Sequence, residues 1–230
     1  MLTVYEIISL AWFLMMWFGY TKLCSSRSND RFCLSKVLHE FRYKWMYRML
    51  ARVNRIPDMS AISSLEKNAG FFASSCMFIV AGLLGILASS KKSLDLLRSF
   101  DYFEVGTDAA WYAKITLLIC IFVYCFFSFT WSMRQYGFCA ILIGAAPTPE
   151  ENIDEDRKSA LAEEISNLLD LSGRHFNYGL RGFYFSLAVL AWFAGDLWFV
   201  LMTIIVVFVL YHREFKSTTL NELKKIHTFL

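Results

Sequence analysis

The sequence predicts an all-α fold: a polytopic bundle of transmembrane helices with about five crossings and with helix extensions at the interface and in the cytoplasm. Three observations predict it. Of 230 residues, 57% are hydrophobic and 17% aromatic, and the mean hydropathy of +0.42 lies above that of ordinary soluble domains. Apolar runs able to span a hydrocarbon core of about 30 Å occur at 4–20, 69–89, 115–132 and 183–211. Basic residues are spread unevenly between the loops that join them. The net charge of +3 is small and dispersed, which gives no ground for nucleic-acid binding.

As one membrane domain, 1–230, the chain divides into helices at about 2–21, 34–55, 68–90, 110–146, 159–194 and 197–216, with an acidic linker at 147–158. The first run has no basic residue before it and no small-x-small cleavage site, so it is expected to stay as a membrane helix and not to be removed as a signal peptide. Residues 34–55 form a basic amphipathic helix. Leu34, Leu38, Phe41, Trp45 and Met49 recur at helical spacing, opposite Lys36, Arg42, Lys44, Arg48 and Arg52. A basic face beside a membrane points to anionic lipid headgroups as its partner. In the 68–90 helix, Gly70, Ser74, Ala81 and Gly85 stand at four-residue spacing, which lets helices approach closely.

The helix at 110–146 carries one charge, Arg134, between Ile115 and Ala146. Twenty residues separate it from Lys114, a rise of about 30 Å. Both side chains are therefore expected to snorkel to opposite surfaces, with Trp111 and Trp131 in the interfacial belts. Beyond Arg134 the sequence "GFCAILIGAA" stays apolar on nearly every face, so the helix is expected to run on into a packed inner layer until Pro147 and Pro149 end it. The acidic linker reads as a solvated turn or helix N-terminus and lacks the calcium-loop pattern.

The helix from Ser159 opens with Leu161, Ile165, Leu168, Leu169 and Ser172 on one face. The run 183–211 would measure about 44 Å as one helix, too long for one crossing without strong tilt. It would also bring Asp196 near the midplane at a cost of about 2.5–3.5 kcal/mol. An outer turn at Gly195-Asp196 removes that cost, leaves Trp192, Phe193, Trp198 and Phe199 as an aromatic belt, and gives five crossings; four crossings is the alternative.

Residues 22–67 hold ten Lys or Arg against four acids, and 91–109 hold three against four. Basic loops stay inside. The N-terminus is therefore expected outside, and the C-terminus, with Arg213, Lys216, Lys224 and Lys225, in the cytoplasm. This orientation puts none of the six cysteines in an outer loop, so no disulfide framework is expected. Cys24 and Cys33 lack a second pair or a histidine pattern and read as plain thiols.

Four blocks, "NAGFFASSCMFIVAGLLG" (68–85), "FTWSMRQYGFCAILIGAAP" (129–147), "RHFNYGLRGFYFSLAVLAWF" (174–193) and "LYHREFKS" (210–217), occur in this order. On them the chain resembles the bacterial and plant membrane family catalogued as domain of unknown function 599. The resemblance implies an integral membrane protein without an established activity and singles out Asn68, Arg134, Gln135, Asn177, Arg181, Arg213 and Glu214. In the topology above, these lie at the inner ends of the crossings. They form either an interhelical polar layer in which Arg134 and Glu214 are opposed, or a site for a phospholipid headgroup or anionic substrate.

No Gly-rich phosphate loop, HExxH, GxSxG or CxxC pattern occurs. No histidine lies deep in a membrane run, which disfavours haem ligation, and His212 beside Glu214 reads as structural. No catalytic residue, metal ligand or cofactor is therefore expected. The function this leaves is a non-enzymatic packing, scaffold or accessory subunit of a bacterial inner membrane, with the bilayer, a second copy or a membrane complex as partner. A small transporter or channel using the inner polar ring, and an enzyme acting on lipid headgroups, are the alternatives.

Overall fold

A computed structural model describes residues 3–30, 33–89 and 108–227. Its helices are α1 (Val4–Asp30), α2 (Leu34–Leu50), α3 (Ile56–Ala88), α4 (Asp108–Ala145), α5 (Glu155–Ala191), α6 (Asp196–Phe215) and α7 (Thr218–His227), with single 3₁₀ turns at Pro149–Glu151 and Trp192–Ala194. No strand occurs among the described residues. Among the described residues, four helical segments are long and apolar enough to cross a membrane: Val4–Cys24, α3, α4 and the stretch Asp196–His227. The loop expected outside at 91–109 lies almost wholly outside the described residues.

Local chemistry explains the helix ends. Pro57 in the first turn of α3 needs no N–H partner there, so α3 starts twelve residues before the apolar run expected from 68. Asp154 caps α5 by accepting from the Arg157 N–H, which shortens the linker. Gly195 has φ 129° and ψ 161°, open to glycine and strained for other residues, and here the chain turns from α5 into α6. The Asp196 carboxylate accepts from Trp192 Nε1 at 2.6 Å and from Ser9 Oγ at 3.3 Å. The sequence-based turn at Gly195-Asp196 is therefore present, with the aspartate hydrogen-bonded and not stranded in hydrocarbon. The last helix, α7, was not anticipated, although Leu220, Leu223 and Ile226 share its spacing.

α4 is the spine. It packs along α3 on one side and α5 on the other, while α6 lies against α5 and α1 against α6. Close approach of α4 and α5 depends on missing side chains. A β-carbon on Gly182 would stand 2.3 Å from Cys125 Sγ, and one on Gly179 2.6 Å from the Phe129 ring. Ser132 Oγ donates to the Ser172 carbonyl at 2.7 Å across the same seam. Of the small residues expected to serve this purpose on α3, only Gly70 does, where a β-carbon would stand 3.4 Å from Met133 Sδ of α4. Ser74, Ala81 and Gly85 are exposed, and nothing lies within 4 Å of a β-carbon on Gly85. The face of α3 that packs is the neighbouring one, Ala69, Ala73 and Cys76.

Two cores stack along the spine. One, toward the Gly195 turn, is aromatic: Trp17 stacks on Phe185 at 4.9 Å and Trp192 on Phe199 at 4.6 Å, with Phe13 between them. The other, the inner layer of the expected topology, gathers Met46, Met49 and Leu50 of α2, Ile62 of α3, Tyr136, Cys139 and Ile143 of α4, and Ile165 and Leu169 of α5. One face of the apolar continuation of α4 beyond Arg134, with Tyr136, Cys139, Ile143 and Ala146, is buried there, while Phe138, Ile141 and Leu142 stay exposed, so the burial expected on nearly every face is only partial. α2 takes part differently from expectation. Its buried set is Val37, Met46, Met49 and Leu50, and Leu34, Leu38, Phe41 and Trp45 are only half-buried. The reason is that α2 is covered by α5 and also by α7, so one stripe does not describe it. Lys114 also departs from expectation. It is buried and donates to the Trp192 carbonyl at 3.0 Å, 5.2 Å from the Trp192 ring centre, where the carbonyl end of α5 attracts a cation.

Polar ties hold the inner layer. Arg55 donates to the carbonyls of Ile143 and Ala146 at 3.1 and 2.7 Å and so caps α4. Asp58, buried, accepts from Trp45 Nε1 at 2.7 Å and Arg52 at 2.6 Å. The Tyr47 hydroxyl donates to Glu155, and this bond holds the Glu155 carboxyl below its ordinary range.

Two outcomes are expected. Gly182→Leu should lower the melting temperature in detergent by an amount corresponding to about 1–3 kcal/mol or more of overpacking, whereas Gly85→Leu should leave it unchanged. Differential scanning fluorimetry reads both. The Tyr47–Glu155 bond stabilises the ionised carboxyl, so its contribution is present above the ordinary carboxylate pKa and is lost as pH falls through the depressed folded value. Tyr47→Phe should therefore lower the melting temperature at pH 7, and the difference from the parent should vanish in acid.

Candidate functional site

The polar face of α5 builds the site. Asp170, Arg174, Asn177, Arg181 and Tyr184 recur at spacings of four, three, four and three, which aligns them on one face of the helix. Around them close Tyr20 of α1, Ser35 and Arg42 of α2, and Arg213 and Glu214 of α6, giving a cleft of about 260 Å³. Asp170 is fully engaged: Arg42 donates to one oxygen at 2.5 Å, and His39 holds the other. Gly173 leaves room for this pair, since a β-carbon there would stand 2.9 Å from the Arg42 guanidinium.

The remaining charges are unbalanced. Arg174, Arg181 and Arg213 line the cleft with a single uncommitted carboxylate, Glu214. Among the described residues, none of the three has a carboxylate within 4 Å. Aromatic rings hold two of them in place. The Arg181 guanidinium lies 5.4 Å from the Tyr20 ring and 5.7 Å from the Tyr178 ring. Arg213 donates to the Tyr184 hydroxyl and lies 5.4 Å from the centre of that ring. A cation on an aromatic face keeps its charge and its outer N–H groups for another partner. Glu214 accepts from the Ser35 N–H at 3.4 Å.

Of the seven residues singled out from the sequence, Asn177, Arg181, Arg213 and Glu214 meet in this cleft. Arg134 does not. It is exposed, lies over Phe138 at 5.8 Å, and lines a separate, open groove with Glu66, Trp131, His175 and Tyr178. Asn68 is exposed on α3, and Gln135 is buried with its side-chain oxygen unpartnered among the described residues. Sequence reasoning missed Tyr20, Ser35, Arg42, Asp170, Arg174 and Tyr184. The regular spacing on α5 could have flagged three of these; the others come from helices whose neighbours only the fold reveals. His212 lies outside the cleft, exposed and beside Phe208.

A helical bundle with four apolar helices of membrane-spanning length, and with arginines gathered at one end, defines a membrane protein. More particularly, the family described as "Protein of unknown function, DUF599" matches residues 8–219, and the chain belongs to that family. Comparison with curated proteins and with solved structures gave no match.

Because Arg134 and Glu214 line separate cavities and no ion pair joins them, Glu214→Gln and Arg134→Gln should act independently. Their effects on thermal stability in detergent should add to within about 0.5 kcal/mol, as a double-mutant cycle measures. Asp170→Asn should be costlier than either, by about 1–3 kcal/mol, because it leaves the half-buried Arg42 without its partner.

Proposed function

We propose that this protein crosses the plasma membrane, the inner membrane of a bacterial cell, five times, with its N-terminus outside and its C-terminus in the cytoplasm. In this reading it serves as a non-enzymatic packing or accessory protein, and its inner cleft holds a phosphate-bearing anion, supplied by a lipid headgroup or by a soluble ligand. Four crossings are the apolar helices. The fifth is the second half of α5, which the sequence leaves short of full apolarity because Arg174, Asn177 and Arg181 interrupt it. Its alignment with α4 up to Lys114 supports this, as does the basic character of 22–67 for the orientation.

The observation that carries the proposal is the three arginines of the cleft facing one carboxylate, with no ion pair among them. Arg181 is half-buried and Arg174 and Arg213 stand exposed at the cleft mouth; like charges gathered without a counterion repel one another and attract an anion, and guanidinium forks match phosphate geometry. His212 and Glu214 do not converge, which favours binding over acid–base catalysis. The basic residues of α2 sit on the same inner side and suit anionic headgroups there.

Thermal unfolding in nanodiscs tests the proposal. Replacing phosphatidylcholine with phosphatidylglycerol should raise the melting temperature by several degrees. Arg181→Gln with Arg213→Gln should abolish the rise, and Arg157→Gln, outside both the cleft and the basic face of α2, should retain it. A rise caused by inorganic pyrophosphate in phosphatidylcholine discs would assign the anion to a soluble source. Indifference to both anions would refute the proposal.

A further inference from the structure

The second cavity lies on the outer side of α4 and has a different charge pattern. Tyr124, Phe127, Trp131, Arg134 and Phe138 follow one another at spacings of three and four on one face of that helix. Neither α3 nor α5 covers this face: Phe127 is 65% and Trp131 47% exposed. The two neighbouring helices form shoulders, Glu66 from α3 and His175 with Tyr178 from α5, and enclose an open groove of about 950 Å³. The His175 ring meets Trp131 and Tyr178 edge to face at 6.3 and 5.6 Å, which makes the α5 wall a continuous aromatic surface.

Two opposite charges stand in this groove without meeting. Arg134 rests over Phe138, and among the described residues neither it nor Glu66 has an ion-pair partner within 4 Å. Glu66 reaches the level of Gly137, where a β-carbon would lie 4.0 Å from its Oε1. Along α4 the order is therefore aromatic stripe, then cation at Arg134, then carboxylate one turn nearer the cytoplasmic end. A glycerophospholipid with a phosphoethanolamine head has the matching order from bilayer interior to water: acyl chain, phosphate, ammonium.

We propose that this groove is a binding site for an ethanolamine glycerophospholipid. Its phosphate pairs with Arg134, its ammonium donates to Glu66, and one acyl chain lies on Tyr124, Phe127 and Trp131. The site is independent of the basic cleft; it needs only that α4 stands in a membrane. An anionic lipid lacking the amine would satisfy Arg134 and leave Glu66 repelled. A soluble zwitterion would leave the aromatic stripe unused. The ammonium N–H groups make charge-assisted bonds to a carboxylate that a quaternary choline cannot make.

Native mass spectrometry of the purified protein, titrated with phosphatidylethanolamine, phosphatidylglycerol and phosphatidylcholine of identical chains, tests this. The parent should retain phosphatidylethanolamine about tenfold more strongly than either other lipid. Arg134→Gln should weaken phosphatidylethanolamine binding about tenfold. Glu66→Gln should remove the preference over phosphatidylglycerol while phosphatidylglycerol binding persists. Gly137→Leu, which fills the groove floor beside Glu66, should lower phosphatidylethanolamine retention without touching either charge. If the parent retains all three lipids equally, prefers phosphatidylcholine, or holds none, the proposal is overturned. It is equally overturned if Glu66→Gln leaves the preference intact. Failure here leaves the cleft's response to anions untouched, since Arg181 and Arg213 lie outside the groove.

Discussion

The length of α4 governs the architecture. Its 38 residues measure about 57 Å, nearly twice a hydrocarbon core of about 30 Å. The surplus beyond Arg134 is apolar, so water cannot solvate it cheaply. The chain meets that constraint on one face by assembling a second core: α2, the first turns of α3 and the first half of α5 close around Tyr136, Cys139 and Ile143, and Phe138, Ile141 and Leu142 on the rest of its surface stay exposed. Arg55 then caps the carbonyls of the helix end. The inner layer is therefore what encloses one face of an overlong apolar helix.

That enclosure also makes the cleft. α5 must lie close to α4 along its second half, which Gly179 and Gly182 permit, and against α2 along its first half. The same helix thus presents glycines to α4 and a polar stripe, Asp170 to Tyr184, to α1, α2 and α6. The Arg42–Asp170 pair and the His39 contact anchor α2 at the lower edge. Tyr20, Tyr178 and Tyr184 hold arginines by their ring faces without consuming their charge. The positive potential of the cleft follows from this choice of aromatic supports in place of carboxylates.

Much of this was legible in the sequence where a local cost decided the outcome. The price of Asp196 at mid-bilayer forced the turn at Gly195, and the apolar faces after Arg134 forced an inner layer. Features that depend on a distant partner were not legible. Lys114 was expected at the outer surface because a rise of about 30 Å separates it from Arg134, yet the carbonyl end of α5 supplies a buried partner. The stripe Leu34–Leu38–Phe41–Trp45 of α2 looked like a single buried face because the cover from α7 was not foreseen. Of the stripe Gly70, Ser74, Ala81 and Gly85 on α3, Gly70 meets α4 at Met133, while the other three are exposed. On α5, by contrast, the residues at 170, 174, 177, 181 and 184 were a readable stripe, and their meaning waited on α1 and α6 to close it.

The central claim is that the arginines of the inner cleft are held for an anion and not for one another. Electron cryomicroscopy of the protein in nanodiscs containing phosphatidylglycerol tests it most directly. Phosphate density is expected within about 4 Å of the Arg181 and Arg213 guanidinium groups, with both still on their tyrosine rings. A cleft without such density, in which Arg181 or Arg213 has swung into an ion pair with Glu214, would contradict it.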